Sequence, residues 1–200
     1  MTVARRLVVG ISGASGSIYG IRLLEILRTV PDLETHLVVS QAAKRTIADE
    51  TDYAVRDVEA LATRVYDDRD IGAALASGSF KTLGMVVAPC SIKTLAALAT
   101  SFAATLIARA GDVTLKEGRP LVLVVRETPL HAGHLRQMLA LAEMGGVILP
   151  PVPAFYHRPR TLDDVVNHTV GRILDRFDLP HALVPEWTGS RRPRAEPPPQ

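Results

Sequence analysis

The chain has 200 residues, 47% of them hydrophobic, and a formal net charge of +2; that is enough apolar material for one substantial core, with no basic excess to imply a nucleic-acid partner. A single cysteine, Cys90, excludes an intramolecular disulfide framework and suits a reducing compartment. No apolar run reaches the length of a membrane span, and the amino terminus enters a strand without a cleavable apolar leader, so no membrane association and a cytoplasmic location are expected.

In chain order, Leu7 to Ile11 reads as a buried parallel strand, followed by a turn rich in glycine and serine. Ile18 to Val30 then reads as a helix, with Ile18, Ile21, Leu24 and Leu27 on one face and Arg22, Glu25 and Arg28 between them. A strand, a glycine turn and a helix make an anion site, because the first helical amides are unpaired and lie at the positive end of the peptide dipole. The same turn also fits a plain tight connection. Glycines at 10, 13, 16 and 20 do not meet the dinucleotide fingerprint, since Ile11 stands where its first glycine should be. The second strand, Thr35 to Ser40, ends in Ser40-Gln41, where a dinucleotide site wants an acid for the ribose. A mononucleotide therefore fits better than NAD.

Gln41 to Asp49 is predicted as a helix with Glu50 near its end, and the stretch through Arg69 is polar and less periodic. Gly84 to Ala88 reads as the third strand, broken by Pro89-Cys90, and Ser91 stands in N-cap position before the next helix. Ala103 to Lys116 is predicted helical, Pro120 to Val125 a strand, and His131 to Met144 a helix ended by Gly145-Gly146. Val147 to Leu149 gives a short strand, and Thr161 caps a last helix reaching Phe177. From Pro185 onward proline, arginine and glycine dominate, so residues 1–184 are expected to form one domain and 185–200 a tail without a core.

The alternation predicts an α/β fold, flavodoxin-like or Rossmann-like, with a parallel sheet covered by helices on both faces and ligands outside the carboxyl ends of its strands. Those ends carry Ser12 to Ser15, Ser40, Cys90 to Thr94 and Arg126 to Pro129. The sequence leaves each residue a bland reading as well. His131 and His134 could share a metal, but no acid or cysteine nearby completes a set, so no metal site is expected. Cys90 could be a nucleophile or a small buried residue. Glu127 could be an acid or base, or form an ion pair with Arg126. Arg109, Lys116, Arg126, Arg158 and Arg172 are more cations than one phosphate needs, which suggests a second phosphorylated ligand.

The stretches GISGASGSIYG, APCSIKTLA, RETPLH and PPVPAFYHRP, with the helix DDVVNHTVGRILDRF, resemble the flavin prenyltransferase family, once described as aromatic acid decarboxylases. The likeness runs from about residue 5 to 179. It implies a homo-oligomer, usually a dodecamer, with sites at subunit contacts. It implies an FMN-binding enzyme that joins a dimethylallyl group from dimethylallyl phosphate to N5 and C6 of reduced FMN, without metal, making prenylated FMN for a partner decarboxylase. By motif, Gly13, Ala14, Ser15, Ser40, Ser91, Ile92, Lys93, Thr94 and Arg126 match FMN contacts. Arg109, Lys116, Tyr156 and Arg172 match the substrate-phosphate set, and Ser15, Glu50 and Glu127 match residues implicated in the chemistry. Lys, Arg and a phenol around a phosphate would stabilise its charge as the C–O bond breaks. Ala104-Thr105 stands where many relatives carry Asp-Asn, a departure that bears on any polar contact made there. A flavin-dependent cysteine decarboxylase of the same fold and a non-catalytic FMN-binding subunit are the alternatives; RETPLH and PPVPAFYHRP favour prenyl transfer.

Overall fold

The computed structural model describes residues 5–184, so the expected tail at 185–200 lies outside the described residues. Six parallel strands form one sheet: β1 (Arg5–Ile11), β2 (Leu33–Val39), β3 (Arg64–Asp67), β4 (Gly84–Cys90), β5 (Leu121–Val125) and β6 (Val147–Ile148), in the order β3-β2-β1-β4-β5-β6. The central strands are apolar at every position because both of their faces are covered. Side chains alternate across them. Leu7, Val9 and Ile11 of β1, with Val86, Val122 and Val124, enter one core, whereas Val8, Met85, Val87, Leu121 and Leu123 enter the other.

The first core lies under α1 (Ser17–Leu27), α2 (Gln41–Glu50) and α7 (Leu162–Asp175), and the second under α4 (Ile92–Ala99), α5 (Leu106–Lys116) and α6 (Ala132–Glu143). The chain leaves β1 toward one edge of the sheet and returns to β4 before building the other half. Connections on the two sides of the β1/β4 boundary therefore cover opposite faces, and a crevice opens at the carboxyl ends of those two strands.

Several boundaries differ from the sequence reading; β4, expected to break at Pro89-Cys90, runs on through Cys90. The polar stretch before Arg69 contains a short helix, α3 (Val55–Glu59), and the edge strand β3, whose Val65 and Tyr66 pair with Leu37 and Val38. β3 is mostly exposed, so no buried apolar run announces it. The helix expected from Ala103 begins at Leu106. Thr105 caps it by accepting from the Ala108 amide, and buried Asp68 takes the amides of Leu106 at 2.7 Å through its carbonyl and Ile107 at 3.0 Å through its carboxylate. Thr105 thus has a capping role of its own at the place where the family pattern differs. The first and last helices stop at Leu27 and Asp175, short of Val30 and Phe177, while Thr161 caps α7 as expected, in a reciprocal box with Asp164.

Candidate active site

Ser12 closes the floor of the crevice. Its hydroxyl donates to the Pro89 carbonyl at 3.0 Å and accepts from the Ser91 amide at 2.7 Å, and its own amide also reaches Pro89 O at 3.2 Å. The side chain is buried and ties together the carboxyl ends of the paired strands β1 and β4. The sequence marks Ser12 only as part of the polar rim. After it the chain turns tightly, with the Ala14 amide on the Ser12 carbonyl at 2.9 Å. Gly13 allows this turn to approach α2, since an added Cβ would stand 2.3 Å from the Cβ of Ala42. Gly16, at φ 98°, adopts the left-handed conformation that starts α1.

The anion site at the start of α1 is already filled. Glu50, the last residue of α2, accepts from the Gly16 amide at 2.8 Å and the Ser17 amide at 3.2 Å through one carboxylate oxygen. This corrects the expectation that a phosphate sits there on backbone alone. Partial burial pushes the Glu50 carboxyl up, but hydrogen bonds from Ser15, Gly16 and Ser17, with the charge of Arg126, together hold it below its ordinary value. The backbone donors at the crevice instead belong to α4. Ser91 caps that helix, its hydroxyl taking the Thr94 amide at 3.3 Å and lying 3.1 Å from the Thr94 hydroxyl. Ile92 and Lys93 are the first two helical residues, whose amides have no carbonyl one turn earlier. Ser40 caps α2 in the same way, on the Ala43 amide at 3.1 Å.

Arg126 follows β5 and is tied to its neighbour by an amide bond to the Cys90 carbonyl at 3.1 Å. Its charge acts on Glu50 and on Tyr19, a phenol in the first turns of α1. Burial raises the Tyr19 pKa, against the opposing influence of Arg126 and a hydrogen bond with Thr169. Tyr19 was not among the candidates; its only sequence signal is its place just after the glycine turn. Among the described residues Arg126 makes no ion pair with Glu127. The exposed Glu127 carboxylate instead accepts from the Thr128 amide at 3.0 Å. The two neighbours therefore point their chemistry to different places.

The phosphate candidates are divided. Tyr156 and Arg172 come together around His168 of α7: the Tyr156 ring stands edge-on to it at 6.1 Å, and the Arg172 charge acts on it from one helical turn away. Arg172 also pairs with Asp175 at 2.8 Å. Arg109 lies in the first half of α5 and pairs with Asp112 at 3.2 Å. Lys116 ends α5, paired with Glu117 at 2.8 Å, just before the turn into β5. It therefore sits at the amino-terminal edge of the sheet, and a single chain does not bring it to Arg126. The rings of His131 and His134 lie 3.6 Å apart and tilted by 34°, and no group of metal-binding side chains occurs among the described residues. Cys90 is fully buried and its thiol is pushed up to about 12 by that burial, which argues against a nucleophile. Among the described residues no helix is long and apolar enough to cross a membrane.

The model for the family described as Flavoprotein matches residues 1–174. Flavin prenyltransferase UbiX of Escherichia coli (strain K12) is 62% identical over 188 residues, which are 93% of this chain and 100% of the relative. Among solved structures, AnUbiX (PadA1) in complex with FMN and dimethylallyl pyrophosphate superposes with a TM-score of 0.92 at 49% identity, covering 94% of this chain and 100% of that one. A dodecameric FMN-dependent UbiX-like decarboxylase from Escherichia coli O157:H7 gives 0.90 at 52% identity, covering 92% and 100%.

Proposed function

The chain belongs to the flavin prenyltransferase family, and from that premise we propose that it transfers a dimethylallyl group from a dimethylallyl phosphate donor to N5 and C6 of reduced FMN. The observation that carries this reading is the end-to-end likeness to a relative of that activity. The crevice is chemically suited to the flavin: it offers open amides at α4, hydroxyls at Ser15, Ser40 and Ser91, and the cation of Arg126. Retention of RETPLH and PPVPAFYHRP, with that likeness, disfavours a cysteine decarboxylase or a non-catalytic subunit.

Reduced FMN, when bound, supplies the nucleophilic nitrogen and the ring that gains the new bonds. Arg126 and the first turn of α4 hold its polar groups, with Gly13 to Ser15 closing the other wall. Glu50 is kept ionised, and its hydrogen bond with Ser15 makes the pair a route for a proton leaving the crevice. Glu127 is the second carboxylate of the rim and serves as acid or base. Tyr156 and Arg172 take the donor's phosphate and stabilise the charge that develops on it, so the protein's own groups replace a metal in this role.

Lys116 joins this set only from a second copy, because its place at the opposite sheet edge excludes it within one chain. This supports a homo-oligomer, as in the dodecameric relative, with Arg109 and Lys116 contributed at subunit contacts. The product is handed to a decarboxylase that uses prenylated FMN in an aromatic-acid route such as ubiquinone synthesis, in the cytoplasm. Incubation with reduced FMN and dimethylallyl monophosphate, with and without EDTA, followed by mass spectrometry of the extracted flavin, tests the reading. A flavin unchanged in mass overturns it, and activity lost to EDTA and restored by Mg²⁺ removes the metal-free phosphate set.

A further inference from the structure

Tyr19 stands in the first turn of α1, and none of the roles above uses it. Its ring is held on two sides. It packs against the first core, and it lies on the glycine turn, where a Cβ added at Gly16 would come within 3.0 Å of the Tyr19 Cδ2 atom. The Tyr19 amide donates to the Gly16 carbonyl at 3.0 Å, so the same turn fixes backbone and ring. A leucine would serve the core as well. What it would lack is the hydroxyl, the polar tip of an otherwise apolar side chain.

That hydroxyl has two neighbours. The first is Thr169 of α7, 3% exposed, with which it hydrogen-bonds. One turn further along α1 the same two helices are tied again, Arg22 Nε donating to Asn167 Oδ1 at 2.8 Å, so their register is fixed. The Thr169 hydroxyl donates to the Val165 carbonyl at 3.4 Å. A hydroxyl has one proton to give, so Thr169 then accepts from Tyr19, and the lone pairs of the phenol oxygen are left for another donor. The second neighbour is Arg126, whose charge acts on the phenol. Both groups reach the same end of β4: a Cβ added at Gly20 would stand 2.3 Å from the Ala88 carbonyl oxygen, and the Arg126 amide donates to the Cys90 carbonyl at 3.1 Å. The Arg126 side chain is exposed, and among the described residues it forms no ion pair that would hold its guanidinium in one place; the charge of Glu50 draws it without a direct bond.

We propose that Tyr19 is a positioning residue for Arg126: its phenol oxygen, oriented by Thr169, holds the guanidinium where the flavin meets it. The proposal rests on the reading of Arg126 as a flavin contact. Glu50 supplies attraction and Tyr19 supplies direction. A carboxylate draws a cation from any side, whereas a lone pair at the end of a fixed ring accepts an N–H over a limited range of angles. The chain from Val165 through Thr169 and Tyr19 to Arg126 thus links α7, the helix that carries Arg172, to the flavin side of the crevice.

Each link can be removed in turn. Tyr19→Phe keeps the ring and deletes the hydroxyl, Thr169→Val keeps the shape and deletes the acceptor, and Thr169→Ser restores it. Equilibrium dialysis with FMN should show binding about threefold to tenfold weaker in Tyr19→Phe and Thr169→Val, as for one lost hydrogen bond, and near-wild-type binding in Thr169→Ser. In an Arg126→Ala background, Tyr19→Phe should change FMN affinity by less than about twofold, because the phenol acts only through the arginine. A tyrosine that merely packs would cost the same in both backgrounds, and that result overturns the proposal, as does unchanged affinity in Tyr19→Phe alone. A second arm needs no flavin. Ultraviolet titration of the phenols, with Tyr19→Phe identifying the Tyr19 step, should find that step at higher pH in Arg126→Ala, since the cation favours the phenolate. A step that stays in place or falls removes the link. Failure of the wild-type protein to bind FMN, or an Arg126→Ala variant that binds it as the wild type does, strikes the flavin reading instead, and the titration still decides whether Tyr19 holds Arg126.

Discussion

The carboxylate of Glu50 lies 2.8 Å from the Gly16 amide, across a separation of 34 residues. One side chain thereby joins the end of α2 to the start of α1 and occupies the helix terminus that the glycine turn would otherwise offer to a ligand. The ionised form is favoured, because the amide bonds, Ser15 and Arg126 outweigh the effect of burial. A carboxylate lowered on folding stabilises the folded state above its ordinary value of 4.5, and that contribution is lost as pH falls from there through the lower folded-state value. Glu50→Gln should therefore cost at most about 1 kcal/mol at neutral pH, since an exposed carboxylate at a helix terminus is screened by solvent. The gap between wild type and variant in urea denaturation should narrow below pH 4.5. A gap unchanged with pH would separate the Glu50 charge from the stability of α1.

Arg126 and Glu127 are adjacent in sequence but engage different partners, so their variants should differ in kind. Arg126→Ala should weaken FMN binding, read by equilibrium dialysis. Glu127→Gln should retain FMN and lose roughly 10²- to 10⁴-fold in single-turnover rate, the range for removal of a general acid or base. Near-wild-type turnover in Glu127→Gln would remove that residue from the mechanism.

Ser12 should matter more for stability than its small size suggests. Ser12→Ala deletes the hydroxyl that bridges Pro89 O and Ser91 N, leaving the Ser91 amide without its acceptor while Pro89 O keeps only the Ser12 amide. The expected loss is about 1–3 kcal/mol by chemical denaturation. FMN affinity should fall too, because Ser91 and α4 lose their tie to β1. A variant with both quantities intact would show that the strand ends are held by the remaining backbone bonds alone.

Cys90 should behave as a packing residue. Its burial predicts no reaction with a thiol reagent in the native protein and full reaction after unfolding. Cys90→Ala should keep FMN binding and prenyl transfer. A fast-reacting native thiol, with activity lost on modification, would return the cysteine to the list of nucleophiles.

The strands of both cores, the caps at Ser91 and Thr161, and the polar rim at the carboxyl edge were all legible in the amino-acid sequence, whereas Ser40, read as the end of a strand, proves to cap α2. Each rests on local rules: an apolar run is a strand covered on both faces, and a hydroxyl before a helical pattern is a cap. β3 escaped because an exposed edge strand needs no apolar run, and α3 because it is too short to establish a period. The resemblance carried by RETPLH and PPVPAFYHRP extended the reading to chemistry, and the likeness to a flavin prenyltransferase over 93% of the chain agrees with it. Tertiary structure alone decided that Glu50 fills the α1 terminus, that the charge of Arg126 acts on Tyr19 and Glu50 while Glu127 takes the Thr128 amide, and that Lys116 lies at the far edge of the sheet. These are relations between segments whose separation in the chain says nothing of their separation in space. Helix direction and the reversal of strand order at β1 and β4 place them, and hydrogen-bond competition then selects which partner each charged group keeps.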